Sequence, residues 1–262
     1  MFFESVGKII GKYGAMFLQG AEITLLIAII GTLIGFVIGL GIGVVRTIPV
    51  DAKSSPVKRV LLKIVNALLA VYIEIFRGTP MIVQAMVIFY GFAALTGISL
   101  NRIIAGIVIV SINTGAYMAE IVRGGILSID KGQFEAAHSI GMTHGQTMTS
   151  VVLPQAIRNI LPATGNEFVI NIKDTSVLNV ISVSELYFKT STVAAKTYDY
   201  FASFFIACVL YFIMTFTVTR ILRAIERRMD GPKTFRIHGS QTVPEAELKI
   251  TDGGEKKRWI RY

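Results

Sequence analysis

Charge is scarce in this sequence. Only 16% of the 262 residues are Asp, Glu, Lys or Arg, 53% are hydrophobic, and the mean hydropathy is +0.61. That shortage of charge excludes an ordinary water-soluble domain and points to a lipid bilayer. Cysteine is nearly absent: Cys208 is the single one, inside an apolar run, which excludes an intrachain disulfide and leaves it a small hydrophobe. No glycine loop followed by Lys and Ser or Thr occurs, so any ATP hydrolysis would have to come from another chain. A net charge of +9 is not accompanied by a basic stripe interleaved with aromatics, which argues against nucleic acid. The opening stretch lacks a basic start followed by a small-residue cleavage site, so the first apolar segment is expected to be retained.

What is present is a series of long apolar runs. Ile23 to Val45 has about 23 residues without a formal charge, enough to cross roughly 30 Å of hydrocarbon as a helix. Five spans are expected, at Glu22 to Val45, Asn66 to Leu95, Ile103 to Val122, Ile160 to Val183 and Tyr200 to Thr219. Basic residues gather on alternate connections. Arg46, Lys53, Lys58, Arg59 and Lys63 follow the first span, Arg123, Lys131 and Arg158 the third, and Arg220, Arg223, Arg227 and Arg228 the fifth. The other side holds chiefly Lys8, Lys12, Arg102, Lys189 and Lys196. This bias puts the amino terminus outside and the carboxyl terminus in the cytoplasm.

Two spans carry local signals. The first has Gly31, Gly35, Gly39 and Gly43, a smooth stripe against which a neighbouring helix can pack closely. No strand precedes these glycines, so a nucleotide loop is excluded. The second contains Arg77, Gly78, Thr79 and Pro80, where the missing proline amide predicts a kink or break lining a cavity or lying against protein. Glu74 and Arg77, three apart, share a face and are expected to pair in part.

The fourth span is the least hydrophobic. At 3.6 residues per turn Thr164, Glu167, Asn171, Asp174 and Thr175 share one face, while Lys173 points about 100° away from Asp174. Ionisable groups facing lipid cost several kcal/mol, so this face should meet another helix or a water-filled path. A zwitterion fits it: carboxylates hold an ammonium, and a cation or helix-end amides hold a carboxylate. Glu167 and Asp174 suit cationic groups, and Lys173 or Arg77 the carboxylate; interhelical ion pairing is the competing reading. Ser111, Asn113 and Thr114 of the third span are expected to bond between helices, and Glu120 with Arg123 to form a structural pair.

Between the third and fourth spans lies a patterned polar interruption, Phe134 to Leu161. Glu135, Ala136 and Ala137 are followed after three residues by Gly141 and then, nine residues on, by Val151, Val152, Leu153 and Pro154. Physically, Phe134 to Ser139 can form a short helix whose alanines permit close approach, and Gly141 supplies a turn. This spacing resembles the cytoplasmic coupling loop of bacterial ABC importers. Phe76 to Pro80, Tyr117 with Glu120 to Gly125, and Lys173 to Ser176 followed by Leu178 extend the resemblance to the polar amino acid uptake subfamily of these permeases, over Phe17 to Met229.

The resemblance implies an all-α integral membrane protein with the five-helix, type I permease fold, a multi-pass subunit of the bacterial cytoplasmic membrane and no enzyme. It implies a coupling loop at 130–158 in which Glu135, Ala136, Ala137, Gly141, Leu153 and Pro154 engage the ATPase. The expected organisation is an extracytoplasmic segment at 1–21, the permease domain at 22–229 and a polar, disordered cytoplasmic tail at 230–262. No cofactor is expected in this chain; ATP and Mg belong to a partner ATPase dimer. The other partners implied are a second permease subunit, a copy or a relative, and an extracytoplasmic amino-acid-binding protein. Glu167, Asp174, Lys173, Asn171, Thr164 and Arg77 are the candidate substrate contacts. Two acids on one face favour arginine, lysine or histidine, with glutamine, glutamate or cystine as the alternative.

Other chemistry is thin. His138 and His144, six apart, do not share a helical face and make a poor metal pair, with His238 far off in the tail. The basic, aromatic end of the tail, Lys256 to Tyr262, suits anionic lipid if it is not simply solvated. A stand-alone ion-coupled transporter would be expected to show a repeat of broken helices, and only one obvious break is present.

Overall fold

The computed structural model describes residues 2–49 and 55–229, with the backbone of two strands beyond them. The described residues form nine α-helices: α1 (Phe2–Arg46), α2 (Pro56–Gly78), α3 (Met81–Thr96), α4 (Arg102–Leu127), α5 (Lys131–Ser139), α6 (His144–Thr147), α7 (Leu153–Asp174), α8 (Leu186–Thr197) and α9 (Tyr200–Met229). A π-helical turn, Met148–Val152, joins α6 to α7, and a 3₁₀ stretch, Thr175–Ile181, continues α7. The chain falls into two compact units, Met1–Arg220 and Ile221–Tyr262. In the second, β1 (Thr234–Ile237) pairs antiparallel with β2 (Ala246–Lys249). The expected disorder of the tail falls for the most part outside the described residues.

By length and composition α1, α4 and α9 can each cross a membrane, and α3 is a shorter apolar helix. The first helix departs from expectation, for it runs through residues 21 and 22 without a boundary. Nothing in that stretch stops a helix: there is no proline, and Gly20 is used for packing, since a Cβ there would stand 2.8 Å from the Leu186 Cα. At ~1.5 Å per residue its 45 residues reach about 67 Å, twice the hydrocarbon thickness. Its early part packs Ile9 and Phe17 into a core with Leu186 and Val193 of α8 and Ala202 of α9.

The glycine stripe explains the pairing of α1 with α4. A Cβ on Gly31 would lie 2.6 Å from Val110 Cγ1, one on Gly35 2.7 Å from Thr114 Cβ, and one on Gly43 2.6 Å from Val122 Cγ1, with Gly39 set against Met118. Both series rise together, so the helices run parallel, and a parallel pair needs a return between them; α2 and α3 occupy that interval. Thr114 of α4 bonds Asn171 of α7, while Gly125 abuts Ile160, so that pair runs antiparallel. Arg46 pairs with Glu120 where α1 and α4 end, and Arg123 Nε lies 3.7 Å from the same carboxylate. The expected Glu120–Arg123 pair therefore exists, with Arg46 as the closer partner.

The second and fourth spans are both interrupted. α2 ends at Gly78 and α3 begins at Met81, so Asn66 to Leu95 is two helices rather than one. α7 starts at Leu153 and turns 3₁₀ at Thr175, so Ile160 to Val183 is not a uniform α-helix. Glu185, fully buried, caps α8 by accepting from the Tyr187 and Phe188 amides at 2.8 and 2.7 Å, and Tyr211 of α9 donates to it at 3.1 Å.

Candidate functional site: an acidic cavity at a broken helix

Pro80 sets the geometry. It offers no amide and drives the preceding residue out of the helical region, and Thr79 accordingly has φ −123° and ψ 147°. The break strips carbonyls of their helical partners, and an unpaired backbone carbonyl costs free energy where it is shielded from water. Side chains replace the lost bonds. Gln84 Nε2 lies within donating distance of the Phe76 and Thr79 carbonyls, at 3.0 and 2.9 Å, and of Thr79 Oγ1 at 2.9 Å. Asn113 of α4 donates to Gln84 Oε1 at 2.9 Å and to the Phe76 carbonyl at 3.3 Å. Gln84 and Asn113 are only 6% and 9% exposed.

Beside the break lies a cavity of about 310 Å³. Its walls are Thr79, Pro80 and Met81 from the break, Asn113 and Tyr117 from α4, and Glu167, Ile170, Asn171 and Asp174 from α7. Glu167, Asn171 and Asp174 line it because positions i, i+4 and i+7 fall on one α-helical face before the 3₁₀ stretch begins. No Lys or Arg is among these walls.

The six candidate contacts separate. Glu167 and Asp174 reach the cavity and make no hydrogen bond or ion pair among the described residues, so the interhelical pairs considered for them are not formed. Asn171 borders it, but its amide is already engaged, donating to Thr32 Oγ1 at 2.8 Å and Thr114 Oγ1 at 2.9 Å. Thr164 does not line the cavity, and its buried hydroxyl has no partner among the described residues. Lys173 is exposed and off the cavity wall, as its 100° offset anticipates. Arg77 also stands off the wall, its guanidinium 5.5 Å from the Tyr117 ring centroid, and the expected pairing with Glu74 is not made. A cation over an aromatic face is attracted by the ring quadrupole, which gives Arg77 an alternative to the carboxylate.

Sequence reasoning missed Gln84 altogether. A glutamine four residues past a helix-breaking proline is the signal that would have found it, since the break needs a donor nearby.

The polar interruption between α4 and α7 is a second ordered element. α5 opens on Asp130, whose side chain accepts from the Gly132 amide at 2.7 Å. Glu135 and Ala136 are exposed and Ala137 is buried. Gly141, at φ +82°, turns the chain out of α5 where a side chain would be strained, and the Met142 amide bonds back to the Ala137 carbonyl at 3.1 Å. Between them Ile140 is 78% exposed, an apolar tip that sequence reasoning also passed over. Thr143 and Gln146 form a reciprocal capping box on α6.

Pro154 lacks an amide, and the π-turn before it absorbs the mismatch, with the Leu153 amide bonding to the Met148 carbonyl. Met148, Val152, Ala156 and Ile160 pack with Val122 and Ile126 of α4 and with Ile129 just beyond it. From His144 onward the chain thus runs as continuous helix through the π-turn into α7. His138 and His144 both border an apolar cavity of about 320 Å³ behind this loop. Burial holds His144 below the usual histidine range, and His138 and Lys58 push the same way.

Comparison with known proteins agrees with this architecture. Residues 54–231 match the family described as the binding-protein-dependent transport system inner membrane component. The chain is 38% identical over 215 residues to the glutamine transport system permease protein of Escherichia coli, covering 82% of this chain and 93% of that protein. It is 32% identical over 212 residues to the arginine transport system permease protein of Bacillus subtilis, covering 81% and 91%. A crystal structure of an amino acid ABC transporter with histidines superimposes with a TM-score of 0.73 at 37% identity, over 84% of this chain and 96% of that one.

The chain belongs to the binding-protein-dependent transport system inner membrane component family, and it is a permease subunit of an amino acid ABC importer. It is a multi-pass, helical inner-membrane subunit with the type I importer fold, and ATP hydrolysis belongs to a separate ATPase.

Proposed function

We propose that this chain forms the path by which an ATP-driven importer moves polar amino acids into the cell, with arginine, lysine or histidine as the preferred cargo. One observation carries the proposal: Glu167 and Asp174 open into a single cavity at a broken membrane helix with no basic residue in its walls. Glu167 is half-buried and Asp174 exposed at the cavity, so the pair presents negative charge to anything that enters, and a cationic amino acid supplies the complementary charge. The cavity volume lies within the range of small-ligand sites. A neutral polar cargo, glutamine or cystine, is the second reading, and it is favoured by relatives named for glutamine and L-cystine transport.

The proposed orientation has the amino terminus outside and the α5 to α6 segment in the cytoplasm, following the bias of basic residues. Glu135, Ala136, Ala137, Gly141, Leu153 and Pro154 then face or shape the surface that meets a partner ATPase carrying ATP and Mg. A second permease subunit and an extracytoplasmic binding protein complete the assembly. ATP closes the partner dimer, the coupling segments move, and α7 carries its acidic face between outward-open and inward-open states. ATP has to bind those states with different affinity, because equal affinity shifts nothing.

The test is uptake of radiolabelled arginine by the assembled importer in proteoliposomes. Asp174→Asn is expected to raise KM about tenfold, equivalent to ~1.4 kcal/mol. Wild-type KM in both Asp174→Asn and Glu167→Gln removes the site.

A further inference from the structure

We propose that Gln84 is a positioning residue for cargo: it holds the break between α2 and α3 open in the shape that forms one wall of the acidic cavity, without touching the cargo itself. The inference rests on the reading of that cavity as the cargo site.

Three observations combine. Gln84 is almost wholly buried, yet it is not part of the cavity wall. Its amide nitrogen is directed at the carbonyls the break has freed, Phe76 O and Thr79 O, and its amide oxygen accepts from Asn113, which does line the cavity. The wall residues between those anchors, Thr79 and Pro80, are the ones whose backbone leaves the helical region.

Gln84 therefore acts at both ends of one wall. It ties the last turn of α2 to the first turn of α3, and it fixes the Asn113 amide against the same corner. The chemistry requires an uncharged side chain that is donor and acceptor at once, at the length of glutamine. Glutamate keeps the shape but, when ionised, can only accept, and it would face carbonyl oxygens. Methionine keeps the approximate volume and offers no donor.

The consequence is a division between binding and turnover. A misplaced wall residue changes how well cargo is held while the helices, the coupling segment and the ATPase surface remain in place. Displacements of about 1 Å at a site are enough to cost up to ~100-fold in a rate or affinity term. The expected signature is a higher KM with an unchanged maximal rate, which denotes loss of binding common to all states.

The experiment uses the complete importer in proteoliposomes, with radiolabelled arginine and, in parallel, radiolabelled glutamine. Gln84→Met is compared with wild type, Gln84→Glu, Asp174→Asn and Thr79→Val, and the melting temperature of each purified complex is recorded. The expected result is a KM raised about tenfold for Gln84→Met at wild-type maximal rate, with a melting temperature lowered because the Phe76 and Thr79 carbonyls lose their donor, so that KM is the deciding readout. Gln84→Met combined with Thr79→Val should raise KM by less than the product of the single effects, because both act on one network.

A fall in maximal rate and melting temperature at unchanged KM would show a purely structural glutamine and overturn the proposal. Should Gln84→Met fail to assemble, Gln84→Glu decides, with a raised KM supporting the proposal and wild-type KM rejecting it. A KM raised by Asp174→Asn but by neither Gln84 variant rejects positioning alone. Unchanged KM in Asp174→Asn rejects the cavity as the cargo site, and the inference with it.

Discussion

The side-chain amide of Asn171 donates to the hydroxyl of Thr32 over 2.8 Å, linking α7 to a helix 139 residues earlier in the chain. The same amide reaches Thr114, so one buried side chain joins α1, α4 and α7 midway between the two acids of the cavity.

Asn171→Leu removes every one of these bonds and leaves two hydroxyls among apolar neighbours. Loss of about 1–3 kcal/mol is expected, read as a lower melting temperature of the purified complex. A melting temperature equal to wild type contradicts the role of Asn171 as the junction.

The contact of α1 with α4 is more demanding still. Gly35→Leu drives a side chain into Thr114, where a Cβ alone already stands 2.7 Å from the Thr114 Cβ. The helices must separate, costing about 1–3 kcal/mol or more. Gly41 has nothing within 4 Å, so Gly41→Leu serves as the control and should leave assembly unaffected. Equal yields of the two variants in detergent would show that the stripe does not pack as described.

Cargo choice follows from the two acids. Glu167→Gln and Asp174→Asn are expected to weaken uptake of arginine and lysine more than uptake of glutamine, by about tenfold in the ratio of kcat/KM values. Competition between labelled arginine and labelled glutamine measures this ratio directly. An unchanged ratio in both variants assigns the chain to neutral cargo.

Coupling is separable from cargo binding. Gly141→Asp places a side chain at φ +82°, at a cost of roughly 1–2 kcal/mol, and Glu135→Lys reverses a charge on the exposed face of α5. Both variants are expected to retain cargo binding and to lose ATP-driven uptake. Stoichiometry of ATP hydrolysed per molecule imported should rise steeply in each, and wild-type stoichiometry in both counts against the coupling assignment.

Much of this was legible in the residues themselves. The Gly78 to Pro80 break follows from a missing amide, the stripe from glycines four apart, and the co-alignment of Glu167, Asn171 and Asp174 from helical periodicity. Each is a local rule acting within one element. The packing of the early part of α1 was not legible, because Ile9 and Phe17 meet α8 and α9, which lie far away in the sequence. The 3₁₀ stretch after Asp174 was not legible either; Thr175 to Ile181 has no composition that separates it from the α-helix before it. Thr164 shares the acidic face yet falls short of the cavity, since periodicity gives direction but not depth. Gln84 escaped because its importance comes from carbonyls freed in another helix, and its spacing four residues past Pro80 gains meaning only once the break is seen to need a donor.

The central claim is that the route runs through this chain while the motor is a separate subunit. It is tested most directly by measuring arginine and glutamine accumulation in proteoliposomes that contain this permease with or without the partner ATPase, receptor and internal ATP. Accumulation is expected only with the complete set, stopping when ATP is withheld. Accumulation by the permease alone, driven by an ion gradient, would contradict the account.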